Sequence, residues 1–190
     1  MRGYRKNNLV FVPVYKNAAT TYEYFFGTKL KWEPILTEDI NWQEDIVFGY
    51  ISDPIKRHIK GTVEFLTVQN LQHLVDHKDF LPIFVNGFFD HHSMPISLMF
   101  GDKKNLIHWI PVDHPKFTSE ELTGKFLESN GVLIDVSKIT RYHSSPPEKK
   151  ELELKLIQTF NSIGYTPGNF GFYFLLDDDI ILYNKVMQSL

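Results

Sequence analysis

The chain has 190 residues, 43% of them hydrophobic and 23% charged, with no cysteine and a formal net charge of −3 at pH 7. At roughly 150 residues per domain this length predicts a single domain, 1–190, able to bury about 70% of the surface of its unfolded chain. The composition excludes disordered, collagen-like and coiled-coil classes, and the lack of cysteine excludes disulfides, thiolate metal sites and a cysteine nucleophile.

The first apolar run, Leu9 to Val14 (LVFVPV), follows several basic residues but is too short for a signal-peptide core or a membrane span. It reads as a buried strand, and the chain as cytoplasmic. Thr20 to Leu30 has a helical pattern, Ile46 to Ile51 (IVFGYI) reads as a second strand, and Pro54 to His73 as a long helix. Leu106 to Val112 and Val132 to Val136 read as two more strands, with a helix over Glu120 to Glu128 between them. The sequence His143-Ser144-Ser145-Pro146-Pro147 is a linker. Pro147 takes the first position of a helix over Glu148 to Ile163, whose Leu152, Leu156 and Phe160 recur at helical spacing. A last helix spans Asp178 to Ser189, with Asp177, Asp178 and Asp179 complementing its dipole. Strands alternating with helices predict an α/β fold of three layers, a mainly parallel central sheet flanked by helices. Ligands of such sheets bind beyond the carboxyl ends of the strands, which singles out Tyr15 to Thr21 and Ser52 to Pro54.

Charge is unevenly spread. Residues 1–31 carry six basic residues (Arg2, Arg5, Lys6, Lys16, Lys29 and Lys31) against Glu23 alone, so the remaining residues sum to −8. A local positive field on an acidic chain suits a small anionic ligand better than nucleic acid, whose binders usually present a broad basic face; a solvated mixed surface is the structural alternative.

The first turn, Tyr15-Lys16-Asn17-Ala18-Ala19-Thr20-Thr21, has the parts of an anion cradle. Lys16 supplies a charge, Thr20 and Thr21 supply donors beside backbone N–H groups, and Ala18 and Ala19 let a ligand approach the backbone. The alternative is that a threonine caps the following helix and Lys16 is an ordinary loop residue. The Walker pattern is absent, since Lys16 precedes the small residues and no glycine follows, which argues against an ordinary ATPase.

KNAATT after one strand, and Ser52-Asp53-Pro54-Ile55-Lys56-Arg57-His58-Ile59-Lys60-Gly61-Thr62 after a later one, together resemble the two nucleotide-binding motifs of sulfotransferases that use 3′-phosphoadenosine-5′-phosphosulfate (PAPS), especially the carbohydrate-modifying branch. The first motif of that family reads roughly K-x-A-G-T-T and wraps the 5′-phosphosulfate; Lys16, Asn17, Ala18, Ala19, Thr20 and Thr21 match it, with Ala19 in the glycine position. The second reads roughly R-D-P-x-x-R-x-x-S and holds the 3′-phosphate. Asp53, Pro54 and Arg57 match it, while Ser52 stands in the arginine position and Lys60 in the serine position. An exchange of roles between Ser52 and Lys60 keeps one hydroxyl and one cation there. Thr62 offers a further hydroxyl. Asp90-His91-His92-Ser93-Met94-Pro95 is similar to an H-W-x-P segment of the carbohydrate branch, with His92 and Pro95 in place.

The resemblance implies a P-loop NTPase-like sulfotransferase fold, PAPS as sulfuryl donor, adenosine 3′,5′-bisphosphate as product, a carbohydrate or similar hydroxyl-bearing acceptor, and no metal. Lys16 is then the electrophilic catalyst, and Arg57 either touches nucleotide or fixes its turn by ion pairing. His92 is the candidate general base, ahead of His91 and Glu64. Asp90, His91 and His92 have an alternative reading as metal ligands, although they lack the spacing of helical zinc sites. Phe80, Phe84, Phe88 and Phe89 read as core rather than a sugar platform, and one of Trp32, Trp42 and Trp109 is a candidate for stacking on adenine or a sugar. Two other functions are consistent with the sequence: a P-loop-like kinase, and a non-catalytic protein retaining the fold.

Overall fold

The computed structural model describes residues 1–77, 79, 87–140, 146–162 and 176–190. Phe80, Phe84, residues 143–145 of the predicted linker and Ile163 at the end of the helix predicted over Glu148 to Ile163 lie outside that set. The protein is α/β, with a five-stranded mixed sheet and flanking helices.

In chain order, β1 (Arg2–Lys6) and β2 (Leu9–Val12) form a hairpin turned by Asn7 and Asn8, with Asn7 at φ 55°, a left-handed conformation that asparagine tolerates. Helix α1 (Ala19–Glu23) runs on into a π-helical turn, Tyr24–Lys29, and β3 (Glu33–Leu36) and β4 (Ile46–Ile51) follow. Then come α2 (Pro54–Val68), α3 (Ile96–Phe100), β5 (His108–Pro111), α4 (Ser119–Ser129), α5 (Pro147–Ser162) and α6 (Asp177–Gln188). The sheet order is β3-β1-β2-β4-β5; β2, β4 and β5 are parallel, while β1 is antiparallel to both β2 and β3.

The sheet is therefore mixed rather than mainly parallel. Its two unpredicted strands read RGYRK and EPIL, and neither contains the apolar run that marks β2 and β4. The expected strand over Val132 to Val136 forms no ladder among the described residues. Val132 is buried and Ile134 and Val136 pack on the core while Leu133 is exposed, so the period of two is real. It reports extended chain lying against apolar neighbours, which does not require a pairing strand. The predicted helix from Pro54 to His73 stops at Val68. Asn70 takes φ 57°, its N–H donates to Thr67 O and the Leu71 N–H to Leu66 O, the paired bonds of a Schellman terminus. A 3₁₀ turn, Gln72–Asp76, comes next.

By contact density the chain divides into two compact units: residues 1–52, 100–143 and 183–190, and residues 53–99 and 144–182. In the first, all four residues of β2 are buried, and Phe11, Phe48 and Tyr50 from β2 and β4 meet Tyr22, Phe25, Phe26 and Trp32 and the apolar side of α4, Leu122 and Leu127. Phe26 sits 4.9 Å from Phe11 and 4.6 Å from Trp32, centroid to centroid. Close aromatic pairs of this kind contribute about 0.5–1.5 kcal/mol each beyond burial. In the second unit, Ile59, Val63 and Leu66 of α2 pack with Val75 and with Leu152 and Leu156 of α5, as the helical spacing predicted. Lys149 to Glu64 (2.6 Å) and Lys155 to Asp76 (2.5 Å) are ion pairs beside this core. Among the described residues no helix is long and apolar enough to cross a membrane.

Candidate functional site

The turn after β2 has an unusual backbone. Lys16 lies at φ 65° and Ala18 at φ 58°, ψ 21°, two left-handed residues without glycine in three positions. Each costs on the order of 1–3 kcal/mol and persists only where its surroundings hold it. Asn17, between them, is fully buried and provides the hold. Its Nδ2 donates to Tyr50 O at 2.8 Å, and its Oδ1 accepts from Ser52 Oγ at 2.5 Å. One amide thereby joins the turn after β2 to the end of β4, which is how the structure brings Lys16–Thr21 and Ser52 together.

Ala18 provides no side-chain cap for α1, so neither threonine serves as its N-cap. Left-handed Ala18 followed by helical Ala19 is the change of backbone hand from which anion-binding nests of N–H groups are built. Lys16 is half-buried and Thr20 exposed, whereas Ala19 and Thr21 are buried. Ala19, in the family's glycine position, is helical and needs no glycine; the left-handed residue is Ala18. Beside the turn, the rings of Tyr22 and Tyr50 stack at 3.6 Å, with hydroxyls on Ser119 and Thr123. Burial raises both phenols, Tyr50 well above its ordinary value, so this support is uncharged at neutral pH.

In the second unit, Asp53 caps α2 by accepting from the Ile55 and Lys56 N–H groups, with Pro54 in the first turn. One side of α2 grips the segment that carries His92. Arg57 Nη2 donates to Met94 O at 2.5 Å, and His58 Nδ1 lies 3.3 Å from Ser93 O. At Gly61 a Cβ would stand 2.3 Å from His92 O, so only glycine allows this approach. Arg57 is 1% exposed; burial pushes its pKa down to about 10, against the opposing field of Asp179. Its guanidinium thus holds the Met94 carbonyl of the segment that carries His92.

His92 Nδ1 is 2.9 Å from Asp90 Oδ2, and the His92 N–H donates to Asp90 Oδ1. Asp90 therefore orients the ring through Nδ1. Lys60 is exposed on α2, and Glu64, the alternative base, pairs with Lys149. Thr62 is 1% exposed, and its hydroxyl has no hydrogen-bond partner among the described residues. Trp32 and Trp109 are buried, while Trp42 is half-buried with Lys103 5.0 Å over its ring. Phe89 stacks on Phe65 at 5.0 Å as predicted for core, while Phe88 is exposed.

The sequence reasoning missed the Asn17 bridge, the Asp90 support for His92, the Gly61 approach and Asp179, whose carboxylate accepts from the Ile96 and Ser97 N–H groups. Of these, Asp90 had a readable signal: aspartate two positions before a residue whose N–H it can accept is a common turn. Comparison of the chain with family models, with curated proteins and with solved structures found no match.

Proposed function

We propose that the protein transfers a sulfuryl group from PAPS to a hydroxyl of a carbohydrate-like acceptor, on a P-loop-like sulfotransferase fold. The supporting observation is the KNAATT turn, held in a left-handed conformation at Lys16 and Ala18 by the buried Asn17 amide that also fixes Ser52. Strain retained at two non-glycine residues, beside a lysine and an exposed threonine hydroxyl, is the pattern of a preorganised anion site. In this reading the turn cradles the 5′-phosphosulfate. As the acceptor oxygen bonds to sulfur, the bond from sulfur to the bridging oxygen breaks, and the ammonium of Lys16 stabilises the charge that develops on the departing phosphate. By the motif correspondence alone His92 is the candidate base, and Asp90 holds its ring. By the motif correspondence alone Lys60 is the candidate cation for a 3′-phosphate, and Ser52, whose hydroxyl binds Asn17, shapes the turn.

Calorimetric titration with adenosine 3′,5′-bisphosphate and with its analogue lacking the 3′-phosphate tests the reading. We expect saturable binding of the first, weaker binding of the second, and loss of sulfuryl transfer from labelled PAPS in Lys16→Ala. No binding of the bisphosphate refutes the reading, and preferential binding of ATP with magnesium assigns the turn to a kinase-like enzyme.

A further inference from the structure

The segment from Phe89 to Ser97 is tethered along its whole length within the second unit. The Phe89 N–H donates to Ser93 Oγ, Ser93 Oγ donates to Asp90 O, and Asp90 Oδ1 accepts from the His92 N–H. Arg57 and His58 hold the Met94 and Ser93 carbonyls, and Asp179 takes the Ile96 and Ser97 N–H groups at 2.6 and 2.8 Å. Ser93 occupies the inward position, fully buried, while Asp90 and His92 are half-buried and His91 is exposed. The tethering fixes the backbone from which a carboxylate and two imidazoles project.

We propose that Asp90, His91 and His92 form a binding site for a divalent first-row transition-metal ion of the zinc type, a conclusion that does not rest on the sulfuryl-transfer reading. One ligand atom from each of the three residues lies within 4.8 Å of the others. Donors around a single tetrahedral zinc ion, at bonds of about 2.0–2.2 Å, are roughly 3.3–3.6 Å apart. Asp90 Oδ2 and His92 Nδ1 stand at 2.9 Å, so that pair has only to open by about half an ångström to admit the ion. The remaining closure falls on His91, an exposed side chain whose ring centroid is 4.1 Å from that of His92. Asp90 Oδ1 stays on the His92 N–H and fixes the carboxylate, the outer contact that ligating carboxylates use.

The donor set decides the class of ion. Two imidazoles and one carboxylate favour zinc, cobalt or nickel over magnesium and calcium, which take oxygen donors. Three protein ligands leave a coordination position for water or substrate, so the site is open rather than a closed structural one. The metal and the hydrogen bond between Asp90 and His92 compete for the same two atoms, so loading the site withdraws His92 from the role of base.

The test is titration of the chelator-treated full chain with zinc chloride by calorimetry, and with cobalt(II) by visible absorption. We expect one saturable equivalent, at least about tenfold weaker binding in Asp90→Asn and in His91→Ala, no change in His73→Ala, and no heat with magnesium chloride. Absence of a saturable equivalent, or full-strength binding in the Asp90→Asn/His91→Ala double variant, overturns the proposal. Thermal unfolding of each variant checks folding, with His91→Asn replacing His91→Ala if the latter does not fold.

Discussion

Replacing Asn17 tests the link between the strained turn and its proposed ligand. Asn17→Ala removes two buried hydrogen bonds, to Tyr50 O and from Ser52 Oγ. Such bonds contribute about 1 kcal/mol each, and orphaning the partners in a buried site adds about 1–3 kcal/mol per group. Part of that loss returns, because an unanchored turn can let Lys16 and Ala18 leave the left-handed region. The expected net destabilisation is about 2 kcal/mol, read as a lower urea midpoint at unchanged m. Relaxation of the turn also disperses the N–H groups that preorganise the anion site. Binding of adenosine 3′,5′-bisphosphate should therefore weaken at least about tenfold, or about 1.4 kcal/mol. Asn17→Asp is the sharper variant. It keeps an acceptor for Ser52 Oγ but sets a carboxylate oxygen against the Tyr50 carbonyl in a fully buried site, so it should lose more stability than Asn17→Ala and bind the bisphosphate least. Stability within about 0.5 kcal/mol of the unaltered protein together with unchanged binding in Asn17→Ala would refute the reasoning.

Gly61→Ala should destabilise by about 1–3 kcal/mol, although alanine in a helix is normally the better residue, because its methyl group would meet the His92 carbonyl; a gain in melting temperature would show that the segment yields freely. Arg57→Met should cost about 3 kcal/mol, since the Met94 carbonyl loses its donor and buried Asp179 loses its counter-charge. The double variant Arg57→Met/Asp179→Asn should lose less than the sum of the single ones in urea unfolding, and strict additivity would disprove the coupling. His108 is solvent-exposed as a residue, yet its ring stacks on Phe126 at 4.3 Å, and partial desolvation holds its imidazole below the ordinary value of 6.5. The unfolded chain then binds a proton more readily, so this contribution to stability is present above about pH 6.5 and fades as pH falls through the folded value. His108→Gln should flatten that part of the stability profile, and an unchanged slope between pH 7.5 and 5.5 would contradict the assignment.

What the sequence could convey depended on whether a residue's role lies in its own neighbourhood. Ile46 to Ile51 matches β4 residue for residue, because a six-residue apolar run carries its burial in its composition. RGYRK carries none, and it becomes a strand because the Asn7-Asn8 turn folds it onto Leu9–Val12 and β3 covers its other edge. The site divides in the same way. Lys16, Ala18, Thr20 and Thr21 announce themselves by type and spacing, whereas Asn17 occupies a position the family motif leaves variable, and its partners lie 33 and 35 residues away.

That distant partnership bears on the departure at Ser52. The arginine of the family pattern would put a long cation where this chain has a short hydroxyl, and the hydroxyl is committed to Asn17 Oδ1 at 2.5 Å. Serine at this position therefore sets the shape of the turn and contributes no charge, so any 3′-phosphate cation must come from elsewhere. Lys60 is exposed on α2 and carries the charge that the serine of the pattern would not. Lys60→Ser should accordingly lessen the preference for a 3′-phosphorylated nucleotide while leaving the Asn17 bridge intact, and Ser52→Ala should do the reverse, loosening the turn for both nucleotides alike. Equal effects of the two substitutions on the calorimetric ratio would show that shape and charge are not divided between them.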